Sequence, residues 1–225
     1  MPGKGQLPVG VSPHMQVEIW SDVVCPWCYL GKRRFEQALA SFEHRDDVQV
    51  TYRSFELDPS LPKGVISPTV ELLASKYGMT ERQAEQAQRQ MEQRAAGDGL
   101  VFKMEGLLSG NTRDAHRLLQ LAKARQRQPE LLERLHSAYF TEQTSIFDHD
   151  SLTTLAVQAG LDEDEVRAVL ASEEYSAEVD VEEAAARDLG VTGVPFYVID
   201  RRYGISGAQP ADTIIEVLEK AWAER

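Results

Sequence analysis

Two cysteines stand three positions apart in the stretch WSDVVCPWCY, residues 20–29, and the chain contains no other cysteine. A thiol is a nucleophile only when it is deprotonated, so a reactive pair needs surroundings that stabilise negative charge. This spacing would let Cys25 attack a substrate disulfide and let Cys28 resolve the mixed disulfide that results. The pair therefore predicts thiol–disulfide exchange, with both cysteines as catalytic residues.

The residues around the pair would tune its reactivity. Pro26 is predicted to lie in the first turn of a helix, where its missing N–H costs nothing. The N-terminus of that helix would favour the thiolate of Cys25, whereas an inward-pointing Asp22 would oppose it. Trp27 is bulky and neutral and adds no cation next to the sulfurs. The sequence leaves open whether the helix or the carboxylate has the larger effect.

A zinc site is the main alternative for such a pair. Structural zinc takes four ligands, commonly two Cys-x-x-Cys pairs or one pair with two closely spaced histidines. None of the histidines is spaced in that way: His14, His44, His116, His136 and His149. We therefore predict no metal site. The histidines are interpreted as residues of surface helices, except His116, which could equally be a core or cap residue.

A second candidate region is GVTGVPFYVID, residues 190–200. Pro195 stands directly before an apolar strand, where a proline cannot donate to the hydrogen-bond ladder. One interpretation is an ordinary trans proline at the start of the strand. The other is a cis Val194–Pro195 bond beside the thiols, with the backbone of Val194 free to pair with an extended substrate. Both residues are therefore candidates for substrate binding.

The elements predicted around these two regions form a βαβ unit and a ββα unit. Strand-like alternation at 16–21 and 48–55 flanks helical periodicity at 26–43, which indicates a parallel pair with a right-handed crossover. Two more strands are predicted at 196–200 and 203–207, and a final helix follows them.

The chain between these units is predicted to be helical from about residue 67 to residue 189, apart from a loop at 98–110. Ser67 and Pro68 are predicted to be the N-cap and the first residue of the first of these helices. The sequence thus predicts an α/β fold in which the two terminal units form one sheet and a large α-helical domain is inserted between them.

This order divides the chain into four parts. Residues 1–14 are predicted to form a flexible tail, residues 15–62 and 189–225 the two parts of the sheet-containing domain, and residues 63–188 the inserted helical domain. A chain of 225 residues is long enough to bury a core of this kind without disulfide staples.

The composition is that of an ordinary globular protein, with 42% hydrophobic and 27% charged residues. The formal net charge of -12 argues against nucleic acid or an anionic membrane as a partner, because both favour a basic face. No apolar run approaches the roughly 20 residues that span a bilayer, and the N-terminus lacks the apolar core of a signal peptide. We therefore expect a cytoplasmic protein, a setting in which structural disulfides are rare.

Several further segments accompany the thiol pair. They are TGVPFYV followed by ISGAQ, FELDP at 55–59, SGNTRDAHRL at 109–118 and AYFTEQTSIFD at 138–148. Together with CPWC after the first strand, they resemble the DsbA family of thioredoxin-fold oxidoreductases. The chain looks most like the FrnE-like branch, which lies near 2-hydroxychromene-2-carboxylate isomerases and kappa-class glutathione transferases. The resemblance covers about residues 15–222, and the combination of segments is specific where each alone is not.

The resemblance implies a thioredoxin-like fold interrupted by an α-helical domain. It identifies Cys25 as the attacking cysteine, Cys28 as the resolving cysteine and Pro195 as a cis-proline. It also implies candidate contacts with glutathione or substrate in the SGAQ segment, at Ser206, Gly207, Ala208 and Gln209. Beyond glutathione, as a redox partner or co-substrate, no cofactor is expected.

Three functions are consistent with these features. The first is a DsbA-like protein disulfide oxidoreductase that cycles the CPWC dithiol on protein or small thiol substrates. The second is a glutathione-dependent isomerase or transferase of the 2-hydroxychromene-2-carboxylate isomerase type. Those relatives generally carry serine or another residue at the position of Cys25, whereas this chain keeps both thiols. The third is a chaperone-like binding module, and the sequence leaves monomer and homodimer open for all three.

Overall fold

The structure is a computed structural model that describes residues 14–225, so residues 1–13 of the predicted tail lie outside the described residues. In chain order, the strands are β1 (Met15–Ser21), β2 (Val48–Ser54), β3 (Ile66–Pro68), β4 (Leu108–Gly110), β5 (Phe196–Ile199) and β6 (Tyr203–Ser206). The helices are α1 (Pro26–Ser41), α2 (Thr69–Tyr77), α3 (Glu81–Gly97), α4 (Arg113–Ala124), α5 (Gln128–Ser137), α6 (His149–Gln158), α7 (Glu163–Leu170), α8 (Ser176–Asp188) and α9 (Ala211–Ala223).

The main sheet combines strands from both ends of the described chain, in the order β2-β1-β5-β6. Strand β1 is parallel to β2 and antiparallel to β5, and β6 pairs antiparallel with β5. Helix α1 lies between β1 and β2 in the sequence and provides the crossover between these parallel strands. The α/β class and the βαβ…ββα order predicted from the sequence are therefore confirmed.

Alternation along the strands separates two apolar layers. In β1, Ile19 belongs to the larger core, together with Leu30 of α1 and Leu218 of α9. Trp20, the next residue, belongs to a second cluster with Ala186 of α8. Since successive side chains of a strand point to opposite faces, α1 and α9 cover one face of the sheet and α8 covers the other.

The segment between β2 and β5 is not entirely helical. Strands β3 and β4 form a two-stranded antiparallel sheet, in which Ser67 lies opposite Ser109. The prediction that Ser67 and Pro68 begin a helix is therefore wrong. Pairing with a strand far along the chain overrides the local helix-start signal, and the Thr69 N–H donates to the Leu107 carbonyl at 2.9 Å as α2 begins.

Helices α2 to α8 all lie between β2 and β5 in the sequence. Ion pairs join this segment to the sheet and to α1, as between Arg53 of β2 and Glu182 of α8, which are 2.8 Å apart. The division of the chain into domains at the predicted boundaries stays a prediction. No helix within residues 14–225 is both long enough and apolar enough to cross a membrane.

Candidate active site

Cys25 occupies the N-cap position of α1, directly after the loop that follows β1. Its backbone is extended, with φ -87° and ψ 113°, and Pro26 is the first residue of the helix. The Cys25 carbonyl accepts hydrogen bonds from the N–H groups of Cys28 (3.0 Å) and Tyr29 (3.3 Å). The sulfur of Cys25 thus lies at the positive end of the helix dipole, where the first backbone N–H groups of α1 have no partner within the helix.

Cys28 lies one turn further along α1 and is the more enclosed of the two thiols. Neither cysteine is bridged, and Cys25 and Cys28 are 4% and 2% exposed. Burial raises the pKa of the Cys28 thiol well above its usual value, and the hydrogen bond and charge of Cys25 raise it further. Hydrogen bonds from the Ser21 side chain and the Asp22 backbone act in the opposite direction. A charged Cys28 sulfur therefore depends on such donors.

The segment before β5 closes over the thiols. The Cys25 Sγ donates to the Val194 carbonyl at 3.6 Å, and the Val194–Pro195 bond is cis. Pro195 is buried and approaches α1 at Gly31, where a Cβ atom would lie only 2.8 Å from Pro195 Cγ. The absence of a side chain at Gly31 lets this segment reach the helix. Val194, a candidate substrate-binding residue, therefore lies directly beside Cys25.

Asp22 points inward and is completely buried. Its Oδ2 accepts the Leu57 N–H at 2.8 Å, and its Oδ1 lies 3.1 Å from Nε2 of His116 on α4. Burial opposes the charged form of the His116 ring, but the hydrogen bond to Asp22 and the charges of Asp22 and Glu56 outweigh burial and raise its pKa. The carboxylate near the thiols is thus paired with a ring that can carry positive charge.

The Asp22–His116 pair continues into further charged side chains that join the FELDP segment to α4 and α8. Glu56 is buried, and burial raises its pKa against the charge of His116 and the hydrogen bond from Arg113. Arg113 donates to Glu56 Oε1 at 3.1 Å and to Asp180 Oδ1 at 2.6 Å. Removal of Arg113 would therefore leave the buried Glu56 carboxylate without this partner.

Trp27 is the exposed member of the CPWC motif, with 42% of its surface accessible. Its own side chain is neutral, but the guanidinium carbon of Arg94 on α3 lies 5.7 Å from the centre of its ring. This distance is typical of a cation–π contact. Helix α3 therefore brings a cation to the open side of the motif, which the spacing in the sequence could not reveal.

The SGAQ segment, residues 206–209, adjoins the thiol site through Pro195. The Gly207 N–H donates to the Pro195 carbonyl at 2.8 Å. Arg34 of α1 donates to the Ala208 carbonyl at 2.7 Å, and this hydrogen bond holds the segment against α1. The backbone of the segment is thus fixed relative to α1.

The remaining two residues of this segment interact with each other. The Gln209 side chain donates to the Ser206 carbonyl at 2.8 Å. Within the part of the chain that the structure describes, neither cysteine hydrogen-bonds to any of residues 206–209. The structure therefore brings Cys25, Cys28 and Val194 together and places the SGAQ segment at the border of the site.

The prediction that His136 lies on a surface helix is wrong, because the residue is completely buried. Its ring stacks on Tyr29 of α1 with 4.8 Å between ring centres, and neither ring nitrogen meets a hydrogen-bond partner at normal geometry among residues 14–225. Burial, followed by the charge of Lys32, lowers the pKa of His136 to about 3. The ring is therefore neutral and packs as an aromatic side chain.

Three contributors to the site were not found from the sequence: Ser21, the pairing of His116 with Asp22, and Tyr197. Side chains alternate along β1, so Ser21 lies on the same face as Ile19, toward α1. This alternation could have predicted from the sequence that Ser21 faces the helix that carries Cys28. Tyr197 belongs to the core on that same face. The Asp22–His116 contact spans 94 residues and has no local signal.

A four-stranded sheet and a cysteine pair at the start of α1 form the candidate site. The sequence matches the DSBA-like thioredoxin domain family over residues 16–219. The chain belongs to this family. The matched range includes both thiols and the Val194–Pro195 segment, so the DSBA-like domain contains the whole candidate site.

Two similar proteins cover nearly the whole DSBA-like chain. YwbO of Bacillus subtilis (strain 168) is 30% identical over 212 residues, and the match covers 92% of this chain and 95% of YwbO. The crystal structure of a probable DsbA oxidoreductase, SCO1869 from Streptomyces coelicolor, is 50% identical. It superimposes with a TM-score of 0.91 and covers 94% of this chain and 92% of SCO1869.

A more distant structure is that of the cytosolic disulfide reductase DsbM from Pseudomonas aeruginosa with GSH. It is 18% identical, has a TM-score of 0.61, and covers 92% of this chain and 99% of DsbM. This likeness concerns the fold alone. Together with the family match, the comparisons confirm the thioredoxin-like fold and support thiol–disulfide oxidoreductase chemistry in general.

Proposed function

We propose that the chain is a thiol–disulfide oxidoreductase that cycles Cys25 and Cys28 between dithiol and disulfide. The observation that carries the proposal is the position of the pair. Cys25 begins α1 with its sulfur 3.6 Å from the Val194 carbonyl, and Cys28 lies one turn further on, more deeply buried. Membership of the DSBA-like family supports this chemistry. Both cysteines are catalytic residues in this proposal.

The Cys25 thiolate would begin the reaction by attacking one sulfur of a substrate disulfide. A bond forms between Cys25 and that sulfur, the substrate disulfide breaks, and the other sulfur departs as a thiolate that takes a proton from water. The N-terminus of α1 stabilises the attacking thiolate. The pairing of Asp22 with His116 balances the buried carboxylate, which would otherwise oppose a second negative charge nearby.

Cys28 would then resolve the mixed disulfide. Its thiolate attacks the Cys25 sulfur, the Cys25–Cys28 disulfide forms, and the substrate leaves with both of its sulfurs reduced. Because burial raises the pKa of Cys28, its thiolate must be stabilised before it can attack. Hydrogen bonds from the Ser21 side chain and the Asp22 backbone provide such stabilisation. In the reverse direction, the same steps oxidise a substrate dithiol.

The substrate would be a protein or a small molecule that carries a thiol or a disulfide. The Val194 backbone lies beside the Cys25 sulfur, where an extended segment could pair as an added strand. Trp27, two residues after Cys25, presents an exposed apolar ring. We include glutathione as a redox partner, with residues 206–209 as candidate contacts, and the similar fold of DsbM with GSH supports this choice.

The proposal includes no other cofactor and no metal. It also includes no nucleic acid or membrane partner, in keeping with the net charge of -12. The cytoplasmic location stays a prediction.

The reduction potential of the pair tests the proposed function. The protein is equilibrated in glutathione buffers, free thiols are alkylated, and the masses of the products are measured. We expect a reversible two-electron transition at roughly -120 to -270 mV, the range of known dithiol oxidoreductases. Cys28→Ser should instead trap Cys25 as a mixed disulfide with glutathione, and Cys25→Ser should form neither product.

Either of two other results would overturn the proposed oxidoreductase function and favour a different one. A stable glutathione adduct on Cys25 of the unaltered protein, without any intramolecular disulfide, would favour a glutathione-dependent isomerase or transferase. Binding of an unfolded client protein that Cys25→Ser leaves unchanged, again without any disulfide, would favour a chaperone-like module.

A further inference from the structure

Tyr197, in β5, carries a buried hydroxyl that makes no hydrogen bond within the part of the chain that the structure describes. The residue is 0% exposed, and its Oη has no hydrogen-bond partner among residues 14–225. Buried polar atoms nearly always have a partner, so each exception in a native fold requires an explanation. A phenylalanine would keep the contacts of the ring, including its stack on Phe35 with 5.7 Å between ring centres, without burying an unpaired oxygen.

The Tyr197 hydroxyl lies in a notch on the surface of α1, the helix that begins after Cys25. Gly31 forms this notch, because a Cβ atom at that position would lie 2.5 Å from Tyr197 Oη and 2.8 Å from Pro195 Cγ. Gly31 comes three residues after Cys28, and residues three apart share a face of a helix. The hydroxyl is therefore located between Pro195 and the face of α1 that carries Cys28.

The phenol of Tyr197 is also held in its protonated form. Burial raises the pKa of Tyr197 well above its usual value, and the charges of nearby groups, with Cys28 first among them, raise it further. A protonated phenol has one hydrogen to donate. Tyr197 therefore remains a hydrogen-bond donor when the thiols ionise.

We infer that the Tyr197 hydroxyl donates a hydrogen bond to the Cys28 sulfur when that sulfur is a thiolate. The inference rests on the proposed function, because it assigns a third donor, beside Ser21 and Asp22, to the resolving step. In that step, the Cys28 thiolate attacks Cys25, a bond forms between the two sulfurs, and the substrate leaves as a thiolate. The proton that Cys28 gives up ends on the departing substrate sulfur, so Tyr197 itself stays protonated.

The hydroxyl has no partner among residues 14–225, so it is available to the Cys28 sulfur when that sulfur becomes charged. A neutral thiol is a weak hydrogen-bond acceptor, whereas hydrogen bonds to an ionised acceptor are about twice as strong as neutral ones. The hydroxyl lies against Gly31, on the face of α1 that carries Cys28, so the donor is close to the residue on which the negative charge develops. Tyr197 is thereby a catalytic residue of the resolving half of the reaction.

Tyr197→Phe tests the inference in the reaction with dithiobis-nitrobenzoate, a small aromatic disulfide. Attack by Cys25 releases one coloured thionitrobenzoate, and attack by Cys28 on the resulting mixed disulfide releases the second. We expect the first release to keep its rate and the second to slow about tenfold, the effect of losing one hydrogen bond to a charged group. Equal rates of second release in the two proteins would overturn the inference.

A second measurement separates this inference from the proposed function. In a Cys25→Ser background, the ultraviolet absorbance of the Cys28 thiolate is followed as the pH rises, with and without Tyr197→Phe. We expect half-ionisation to move upward by about one pH unit. If the unaltered protein never releases the second thionitrobenzoate, the proposed function fails. The titration then still decides the role of Tyr197, and an unchanged profile would overturn it.

Tyr139→Phe is the matched control. The Tyr139 hydroxyl is also buried but donates to the Leu108 carbonyl at 2.9 Å, so its loss should lower stability and leave both releases unchanged. Tyr197→Phe should keep or raise the thermal unfolding temperature, because it removes no existing hydrogen bond. Failure of the Tyr197→Phe protein to fold would overturn the inference, since the hydroxyl would then have a structural role.

Discussion

His116 and His136 are both fully buried near the thiol segment, yet their surroundings give them opposite properties. Burial favours the neutral ring of His116, but the hydrogen bond to Asp22, 3.1 Å away, and the charges of Asp22 and Glu56 outweigh burial and raise its pKa. His136 stacks on Tyr29 instead, and burial lowers its pKa to about 3. One histidine can therefore carry charge in the interior, and the other cannot.

The two histidines belong to two different sides of the thiol site. The polar side consists of four charged or titratable residues: Asp22, Glu56, Arg113 and His116. The aromatic side consists of four stacked rings: Tyr29, Phe102, His136 and Phe140. The contrast between His116 and His136 shows that the charge of a buried group depends on its partners as much as on its burial.

The largest expected effect concerns the polar side. Asp22→Ala would leave the His116 ring and the Leu57 N–H buried without their acceptor. Breaking a buried charge pair in this way costs about 3–5 kcal/mol, and we expect the free energy of unfolding in urea at neutral pH to fall by that amount. Asp22→Asn keeps an oxygen for Leu57 and should lose less. A loss below about 1 kcal/mol for Asp22→Ala would contradict the role of this pair.

On the aromatic side, the expected effect is sensitivity to acid. The native pKa of His136, about 3, lies below its ordinary value of 6.5, so the unfolded chain binds a proton that the native protein does not. The stability contributed by neutral His136 is therefore complete above pH 6.5 and is lost as the pH falls toward 3. At about 1.4 kcal/mol per pH unit, the loss at pH 5 is about 2 kcal/mol. His136→Phe should remove this loss, as measured by urea unfolding at pH 5 and at pH 7.

His116→Gln is the matched variant on the polar side, and its pH dependence should have the opposite sign. Burial lowers the pKa of His116, but the hydrogen bond to Asp22 and the charges of Asp22 and Glu56 together outweigh it, so the native value lies above 6.5. The stability from protonated His116 is complete below pH 6.5 and is lost as the pH rises through the native value. The variant should differ most from the parent below pH 6.5. The same pH slope in both histidine variants would remove the distinction between the two sides.

The smallest expected effect concerns Ser21, which precedes Asp22 of the polar side and supplies one side-chain hydrogen bond to the Cys28 sulfur. Ser21→Ala should slow the second release of thionitrobenzoate about threefold at neutral pH, with the first release unchanged. Ser54→Ala is its control, because Ser54 lies beside Ser21 in the sheet but its hydroxyl accepts from Gln120 at 3.0 Å. Equal slowing in both variants would indicate a general effect on the sheet.

Local patterns were sufficient to predict the elements that carry the thiols. The apolar strand before Cys25, the proline directly after it and the helical spacing beyond it act over a few residues, and the structure shows β1 and α1 there. The patterns failed at Ser67 and Pro68, because β3 exists only through pairing with β4. They also failed at His136, because the burial of one helix face depends on the packing of another helix against it.

The sequence by itself determined the spacing of Cys25 and Cys28, the start of a helix at Pro26 and membership of the DSBA-like family, because these depend on nearby residues or on whole segments. The tertiary structure alone decided the partner of Asp22, the carbonyl beside Cys25 and the unpaired hydroxyl at Gly31. The physical reason is distance along the chain. Asp22 meets His116 across 94 residues, and Cys25 meets Val194 across 169, so burial and charge there arise only when the chain has folded.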